Sequence, residues 1–232
     1  QKIKNFHFKN LSLNDLNYSY KTNNSKKDIL SNINLDIHRG AKIGIKGETG
    51  SGKTTFINLL IGLLKDYQGK IKLNEIDLSL NYNLINLQNK IGYVPQTIYL
   101  ADESILFNII LDKEKNVDQN KLSRILSMVE LYDFVNSLSE KINTVIGERG
   151  GKLSGGQCQR IGIARALYRN PSIIIFDEAT SALDENTENK IFSKLFQDSE
   201  DKTIMIISHR NNSFKYCDTI YEIKNKSLNR LK

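Results

Sequence analysis

The sequence predicts an α/β fold, in which buried strands alternate with helices around a central sheet. A short apolar run, Ala41 to Lys46, leads through a glycine-rich stretch into an apolar helix from Thr55 to Leu64. A second run, Ser172 to Phe176, has the length of a buried strand, and a helix follows it from about Glu185 to Phe196. A third buried run, Thr203 to Ile207, continues the same pattern.

Further strands and helices surround these runs. Partial alternation of apolar and polar residues predicts strands near the amino terminus. The predicted strands are Phe6 to Leu13, Leu16 to Tyr20, Ile33 to Ile37, Lys70 to Leu73, Ile91 to Val94 and Thr219 to Ile223, with a polar end after the last. Mixed helix is predicted from Ser104 to about Leu138, and another helix from Gln157 to Tyr168, stopped by Pro171.

The bulk composition is that of a globular protein with a basic balance. The chain has 232 residues and a net charge of +7, with 39% hydrophobic and 25% charged residues. No apolar run approaches the ~18 residues of a membrane span. Its cysteines, Cys158 and Cys217, show no paired or metal-binding spacing, which is typical of a reducing compartment. The lysines are scattered, which favours compositional bias over a basic face for nucleic acid or anionic lipid.

The glycine-rich stretch matches the pattern G-x-x-x-x-G-K-[ST], with the strand before it and the helix after it that this phosphate-binding motif requires. Glycines let backbone amides wrap the α- and β-phosphates, Lys53 reaches the β- and γ-phosphates, and Thr54 offers its hydroxyl to Mg²⁺. The predicted nucleotide-binding residues are Gly47, Glu48, Thr49, Gly50, Ser51, Gly52, Lys53, Thr54 and Thr55.

Polar residues follow two of the predicted strands at their carboxyl ends, where α/β sheets bind ligands. Asp177 and Glu178 follow one strand, and His209 follows another. We expect Asp177 to hold Mg²⁺, usually through water, and Glu178 to polarise the attacking water. For His209 we expect a contact with the γ-phosphate, although a structural role is the alternative.

The stretch Leu153-Ser154-Gly155-Gly156-Gln157 enters a helix. Ser154 is a good N-cap, and the glycines leave the backbone N–H groups open to a ligand. A helix N-terminus of this kind attracts anions, and phosphate is the obvious one. Taken alone, the stretch is more typical of an ordinary capped helix after a glycine turn.

In this order, five motifs resemble the nucleotide-binding domain of an ATP-binding cassette (ABC) transporter over essentially the whole chain. They are GETGSGKT at 47–54, YVPQ at 93–96, LSGGQ at 153–157, IIIFDEATSALD at 173–184 and SHR at 208–210. The resemblance implies the P-loop ABC-ATPase fold, with a mixed central sheet, an N-terminal antiparallel β subdomain and a helical subdomain at about 98–165. Residues 1–232 are then a single domain.

The resemblance also implies a head-to-tail dimer of two identical copies that binds two ATP with Mg²⁺. Each ATP would lie between the 47–54 loop of one copy and Ser154, Gly155, Gly156 and Gln157 of the other. Gln96 would contact Mg²⁺ or water and link the site to a membrane domain. Asp184 would lie at the dimer interface, and His209 would be the switch histidine.

An aromatic residue near the first strands stacks on adenine in this family. Tyr20 fits best by its place before the turn and the following strand, and Tyr18, two residues earlier on the same face, stays an alternative. Packing of both tyrosines across the strands is a third possibility.

The segment Gly147-Glu148-Arg149-Gly150 resembles the exporter branch, in which this loop touches a transmembrane domain. A start at Gln1 leads us to expect a piece of a longer chain, with the membrane domain on its amino-terminal side and this domain on the cytoplasmic face of a bacterial inner membrane. Residues 99–104 resemble lipid-linked oligosaccharide flippases, a weak indication of the cargo.

Other functions are possible for a chain with these motifs. An ABC-type ATPase acting on nucleic acid is less favoured, because only about 100 residues without heptads separate the phosphate loop from LSGGQ. We therefore expect no nucleic-acid partner. An importer subunit would lack a fused membrane domain, and a degenerate cassette would have lost Glu178 or part of LSGGQ.

Overall fold

The computed structural model describes residues 7–22, 25–78, 81–112, 117–198 and 201–232. The chain forms two compact units, Gln1–Ile91 with Asp201–Lys232, and Gly92–Glu200. In chain order the elements are β1 (Asn10–Thr22), β2 (Ser25–His38), β3 (Lys42–Lys46), α1 (Lys53–Leu60), β4 (Gln68–Leu73), β5 (Ile76–Asp77), α2 (Asn81–Gln88), β6 (Ile91–Val94), α3 (Ile105–Ile110), α4 (Gln119–Met128), α5 (Tyr132–Ser137), α6 (Gly155–Tyr168), β7 (Ile173–Asp177), α7 (Glu185–Gln197), β8 (Thr203–Ile207), β9 (Thr219–Lys224) and β10 (Ser227–Arg230).

An antiparallel sheet in the first unit has the strand order β2-β1-β4-β5, and it is the antiparallel β subdomain that the family resemblance implied. The two strands predicted between Phe6 and Tyr20 are in fact one strand, β1. Its register with β2 shifts after Leu13, where Asp15 has a φ of 49°. This irregularity lets Leu13 and Leu16 both face the core although they are three positions apart. Phe6 lies outside the described residues.

The second sheet of this unit has the order β10-β9-β3-β8. Strand β3 is central and pairs in parallel with both neighbours, so that Ile45 lies opposite Ile207 on one side and Tyr221 on the other. Strand β10 adds antiparallel to β9, which makes the sheet mixed. The sequence interpretation missed β10, because its polar residues lie at the edge of the sheet, where little burial is required.

Helix α1 follows β3 after the glycine-rich loop and is shorter than predicted. It begins at Lys53 and ends at Leu60 rather than Leu64. Gly62 has a φ of 72°, and a Cβ there would lie 2.0 Å from a methyl group of Leu84. The left-handed backbone favours glycine at this position and stops the helix.

The second unit contains helices packed around α6, with β7 as a neighbour of β6. Helices α3 and α4 both contact α6, and α4 also contacts α7. All five residues of β7 are buried, as expected for a strand covered on both faces. Within the described ranges, no helix has both the length and the apolar character needed to cross a bilayer.

Candidate functional site

The loop between β3 and α1 curls around the ammonium group of Lys53. Lys53 Nζ donates hydrogen bonds to the carbonyl oxygens of Gly47 at 2.7 Å and Glu48 at 3.0 Å. The side chain is only 7% exposed although it carries a charge. A cation buried this deeply inside a backbone loop attracts an anion into the same loop.

The glycines of this loop have the backbone freedom that its curvature needs. Gly50 and Gly52 have φ values of 81° and 106°, which side-chain-bearing residues rarely adopt. A Cβ at Gly47 would lie 2.6 Å from Ser51 Oγ and 2.8 Å from the carbonyl oxygen of Ile223. The loop therefore exposes backbone rather than side chains to whatever it binds.

Ser51 Oγ is the second indication of a ligand in this loop. The atom is buried, and within the described part of the chain it has no hydrogen-bond partner. A buried hydroxyl without a partner is costly, and a phosphate oxygen would satisfy it. Helix α1 also starts without a side-chain cap, so the N–H groups of its first turn suit the same anion. The residues of the loop thus fit a bound phosphate group.

The two candidate tyrosines differ in exposure. Tyr18 is 8% exposed and packs in the core, whereas Tyr20 is 42% exposed. Their rings meet edge to face at 5.1 Å between centroids, and the Tyr20 hydroxyl lies 3.3 Å from Thr55 Oγ1 in helix α1. Burial, the largest cause, and the nearby Tyr20 raise the pKa of Tyr18. Of the two, Tyr20 has a ring open to a ligand beside the phosphate loop.

His209 follows β8, at the sheet edge where β3 leads into the phosphate loop. The Ser208 N–H donates to the carbonyl oxygen of Ile45 at 3.3 Å, which continues the β3–β8 pairing to its end. Ser208 Oγ in turn accepts from the N–H of Arg210 at 2.9 Å. His209 is thus exposed on a turn that Ser208 anchors on both sides.

In the second unit, Asp177 ends β7 and is 8% exposed. The Tyr93 hydroxyl donates to Asp177 Oδ2 at 2.9 Å. Burial, together with the charge of Asp177, raises the pKa of Tyr93 far above its usual range, so the phenol stays a donor. This bond orients the carboxylate. Sequence reasoning did not assign a role to Tyr93.

Glu178 is the next residue and has a backbone conformation that is unusual for its type. Its φ is 50°, in the left-handed region, and the Ser181 N–H donates to its carbonyl oxygen at 3.2 Å. Gln96 Nε2 donates to Glu178 Oε2 at 2.9 Å. Non-glycine residues in this region cluster at functional sites, where the surrounding structure holds them in place. The structure brings together Gln96 and Glu178, which the sequence interpretation placed in one site.

Ser154 caps α6 as predicted and forms a complete capping box. Ser154 Oγ accepts from the Gln157 N–H at 3.2 Å, and Gln157 Oε1 accepts from the Ser154 N–H at 2.7 Å. Ser154 and Gly155 are exposed. The helix end is therefore fixed in shape before any ligand binds, with its positive dipole end towards solvent.

Asp184 has a local role that the resemblance did not predict. It is the N-cap of α7, and its Oδ1 accepts from the Thr187 N–H at 2.9 Å. The hydrogen bonds from Thr187 hold the pKa of Asp184 below its ordinary value.

The segment with Glu148 is a single 3-10 turn, Glu148–Gly150, in which Arg149 has a φ of 53°.

The sequence interpretation missed Gln159 and Arg165, two polar residues of α6. Gln159 bonds to Ser181 and to the backbone of Ala182. Arg165 donates to the carbonyl oxygens of Asn108 at 2.7 Å and Tyr99 at 3.0 Å. The signal for both was present, because a buried isoleucine of α6 lies one turn away from each, Ile163 from Gln159 and Ile161 from Arg165, and a polar residue in such surroundings needs a partner.

In the described ranges, no group of three or more His, Cys, Asp or Glu side chains could hold a metal ion by itself. Mg²⁺ is usually bound by one or two carboxylates together with substrate phosphates. In the first unit, the exposed Thr54 hydroxyl in the first turn of α1 is an oxygen ligand of that type, and in the second unit the Asp177 carboxylate is another. Each group, taken by itself, has the chemistry to bind Mg²⁺.

Comparison with known proteins agrees with this geometry. The profile described as "ABC transporter" matches residues 30–181, which is more than half of the chain. The chain belongs to the ABC transporter family. It has the ABC ATPase fold and is of the type that binds nucleotide. The α/β fold class predicted from the sequence is thereby confirmed.

Several relatives of this ABC domain are named as export proteins or flippases. It is 40% identical over 213 residues to the leukotoxin export ATP-binding protein LtxB of Aggregatibacter actinomycetemcomitans, covering 90% of this chain and 29% of the relative. It is 39% identical over 213 residues to the ATP-dependent lipid A-core flippase of Wigglesworthia glossinidia brevipalpis, covering 92% and 35%. The Coxiella burnetii lipid A-core flippase is 38% identical over 210 residues, covering 90% and 36%.

A solved structure is also similar. It is described as a bacterial Atm1-family ABC exporter with ATP bound, and it matches with a TM-score of 0.86 and 30% identity, over 95% of this chain and 38% of that one. The chain thus spans about a third of the length of the curated relatives it matches.

Proposed function

We propose that this chain hydrolyses ATP in a head-to-tail dimer and so powers an exporter or flippase. The observation that carries the proposal is the bond from Gln96 to Glu178, because it holds a carboxylate in a strained, preset position. Such a carboxylate suits the general base of a hydrolysis reaction. The same chain forms a phosphate-binding loop around Lys53, which supplies the other requirement for ATP hydrolysis.

In the proposed reaction, the Glu178 carboxylate accepts a proton from a water molecule as that water attacks the γ-phosphorus. The bond from this phosphorus to the β–γ bridging oxygen breaks, and ADP and phosphate are released. Lys53 stabilises the charge on the β- and γ-phosphates, and His209 contacts the γ-phosphate. Mg²⁺, held by Thr54, Asp177 and Gln96, supplies further neutralisation of this charge when bound.

The second part of the proposal is that each ATP is shared between two copies of the chain. Residues 47–55 and the Tyr20 ring of one copy bind the nucleotide, and Ser154, Gly155, Gly156 and Gln157 of the other cover its γ-phosphate. The preformed, exposed cap of α6 supports this role. In this arrangement Asp184 lies at the dimer interface in addition to capping α7.

The third part concerns transport. The names of the relatives support export or flipping of a substrate across a membrane, with lipid and lipid-linked oligosaccharide as the proposed cargo classes. In this proposal, residues 1–232 form one domain with a helical subdomain at about 98–165. The domain lies on the cytoplasmic face of a membrane, which in a bacterium is the inner membrane. Its partner is a transmembrane domain of the same polypeptide, contacted through the regions of Gln96 and Glu148.

The test is steady-state ATPase activity as a function of protein concentration, for the wild type and for Glu178→Gln. We expect the activity of the wild type to rise faster than linearly with protein concentration. In Glu178→Gln it should fall by at least ~100-fold, and this variant should accumulate as an ATP-bound dimer. Glu140→Gln, at an exposed position on a loop, is the matched control and should keep its activity. A linear, monomeric activity that survives Glu178→Gln contradicts the proposal.

A further inference from the structure

Gln159 uses both ends of its amide to hold the turn that follows Glu178. Its Nε2 donates to Ser181 Oγ at 3.0 Å, and its Oε1 accepts from the Ala182 N–H at 2.9 Å. The Gln159 side chain is 6% exposed, so its amide is shielded from water although Ser181 and Ala182 lie at the surface. A buried amide that satisfies two groups 22 and 23 positions away is a specific structural link.

The start of α6 packs directly on the same turn. A Cβ at Gly155 would lie 3.5 Å from the Cβ of Ala182, and one at Gly156 would lie 3.3 Å from the Ala182 carbonyl oxygen and 3.4 Å from Leu183. The first turn of the helix is therefore in contact with residues 182–183. Gln159 lies one turn further along the helix, and its hydrogen bonds to Ser181 and Ala182 stabilise this contact.

Helix α7 anchors the other side of the turn. Thr180 Oγ1 donates to Glu188 Oε1 at 2.9 Å inside the protein, and Asp184 caps the first turn of the helix. Residues 180–184 are thus held between α6 and α7. A displacement of the α6 start moves this segment with it, and the segment begins only two residues after Glu178.

We propose that Gln159 is a positioning residue that makes the α6 start, Ser154–Gly156, and the turn at 181–183 move as one body. The inference rests on the proposed function, in which Ser154 meets the ATP of the partner copy while Glu178 acts on the ATP of its own copy. Closure of one ATP site is then transmitted through Gln159 to the other. Cooperative ATP turnover depends on this residue.

The decisive variants are Gln159→Leu and Gln159→Glu. Leucine has a similar size and makes neither hydrogen bond. A glutamate carboxylate accepts from the Ala182 N–H and also from the Ser181 hydroxyl, which rotates to donate. We expect the Hill coefficient for ATP to fall from about 2 in the wild type towards 1 in Gln159→Leu, and to stay near 2 in Gln159→Glu. Equal coefficients in the two variants overturn the inference.

A second measurement needs no enzymatic activity. Hydrogen exchange at the Ala182 amide should be roughly 5-fold faster in Gln159→Leu than in the wild type, because one hydrogen bond is lost. If Gln159→Leu does not fold, Ser181→Ala takes its place: it removes one of the two bonds at an exposed serine and should lower the Hill coefficient partially. An unchanged coefficient in Ser181→Ala, or unchanged exchange in Gln159→Leu, contradicts the link.

Cys158→Ala is the control for general loosening of α6. Its side chain lies near Gly150, away from the turn, so this variant should keep the wild-type Hill coefficient. The two proposals fail in different ways. A wild type that neither binds nor hydrolyses ATP contradicts the proposed function, whereas a cooperative wild type matched by Gln159→Leu contradicts only the role of Gln159.

Discussion

Gln96 and Glu178 are joined by a hydrogen bond of 2.9 Å from the amide nitrogen to the carboxylate. The two residues are 82 positions apart, and each follows a strand, β6 for Gln96 and β7 for Glu178. Because these strands are neighbours, both residues leave the sheet side by side. The proposed base, Glu178, is thus oriented by Gln96, the residue proposed to link the site to a membrane domain.

The first prediction concerns this bond. Gln96→Met keeps the length of the side chain and removes the donor, so the Glu178 carboxylate loses its restraint. We expect kcat to fall roughly 10- to 100-fold, because small misplacements of a reacting group are costly, while the affinity for ATP measured without Mg²⁺, which Gln96 is also proposed to bind, stays within about 2-fold. Gln88→Met, at an exposed glutamine of α2, is the control. A loss of ATP affinity with unchanged kcat would refute this role.

A second prediction separates the two tyrosines. Tyr20→Ala should weaken ATP binding by roughly 5- to 100-fold, the usual range for loss of one stacking contact with a base. Binding of tripolyphosphate, which has no base, should not change. Tyr20→Trp should retain ATP affinity, since it keeps an aromatic face. Nucleotide titrations by calorimetry measure all three, and equal losses for ATP and tripolyphosphate would rule out stacking.

The Tyr18 position provides the contrast. Tyr18 is buried, so Tyr18→Ala should act on folding, lowering the free energy of unfolding by about 3 kcal/mol as for other large aromatic truncations. Denaturant unfolding measures this quantity. A Tyr18→Ala variant of wild-type stability with selectively weakened ATP binding would make Tyr18, rather than Tyr20, the stacking residue.

The third prediction separates the two roles of Ser154. Asp is as good an N-cap as Ser, so Ser154→Asp should keep the helix and the melting temperature. It also places a negative charge where the proposed γ-phosphate of the partner copy would lie. We expect Ser154→Asp to bind ATP but to form no ATP-dependent dimer, as measured by sedimentation in the Glu178→Gln background. Dimer formation equal to that of the parent would contradict the contact in trans.

The fourth prediction is a pH dependence of stability. Cys217 is buried, and burial, with a smaller contribution from Asp218, raises the pKa of its thiol from 9.0 to about 12. The unfolded chain therefore loses this proton first as the pH rises. The contribution of Cys217 to the free energy of unfolding is complete below about pH 9 and falls by about 1.4 kcal/mol per unit up to about pH 12.

Unfolding of the wild type and of Cys217→Ala at a series of pH values tests this. The difference in free energy between the two proteins should be constant below about pH 9 and should shrink above it. Cys158→Ala, at a half-buried position, is the control and should follow the wild type more closely. A difference that stays constant to the alkaline end would show that the buried thiol is not the cause.

Features that depend on residues close in sequence were predictable. Strands β6 and β8 have the predicted bounds, and Ser154 caps α6 as its spacing to Gln157 indicated. The loop at 47–54 has the curved, glycine-dependent backbone that its motif requires. These features follow from local rules, namely glycine backbone freedom, capping and the period of apolar residues.

Features that depend on distant partners needed the tertiary structure. The merger of two predicted strands into β1 reflects pairing with β2 and β4, and β10 exists because β9 is beside it. Tyr18 and Tyr20 differ only in what packs over them, which no local pattern specifies.

The sequence by itself determined the family motifs, the phosphate loop and the positions of the candidate acids and bases. Only the tertiary structure decided which side chains these residues contact, above all the bonds of Glu178 to Gln96 and of the following turn to Gln159. The physical reason is that a hydrogen bond between residues far apart in sequence depends on how strands and helices pack, and the period of a strand or a cap motif carries no information about its distant neighbour.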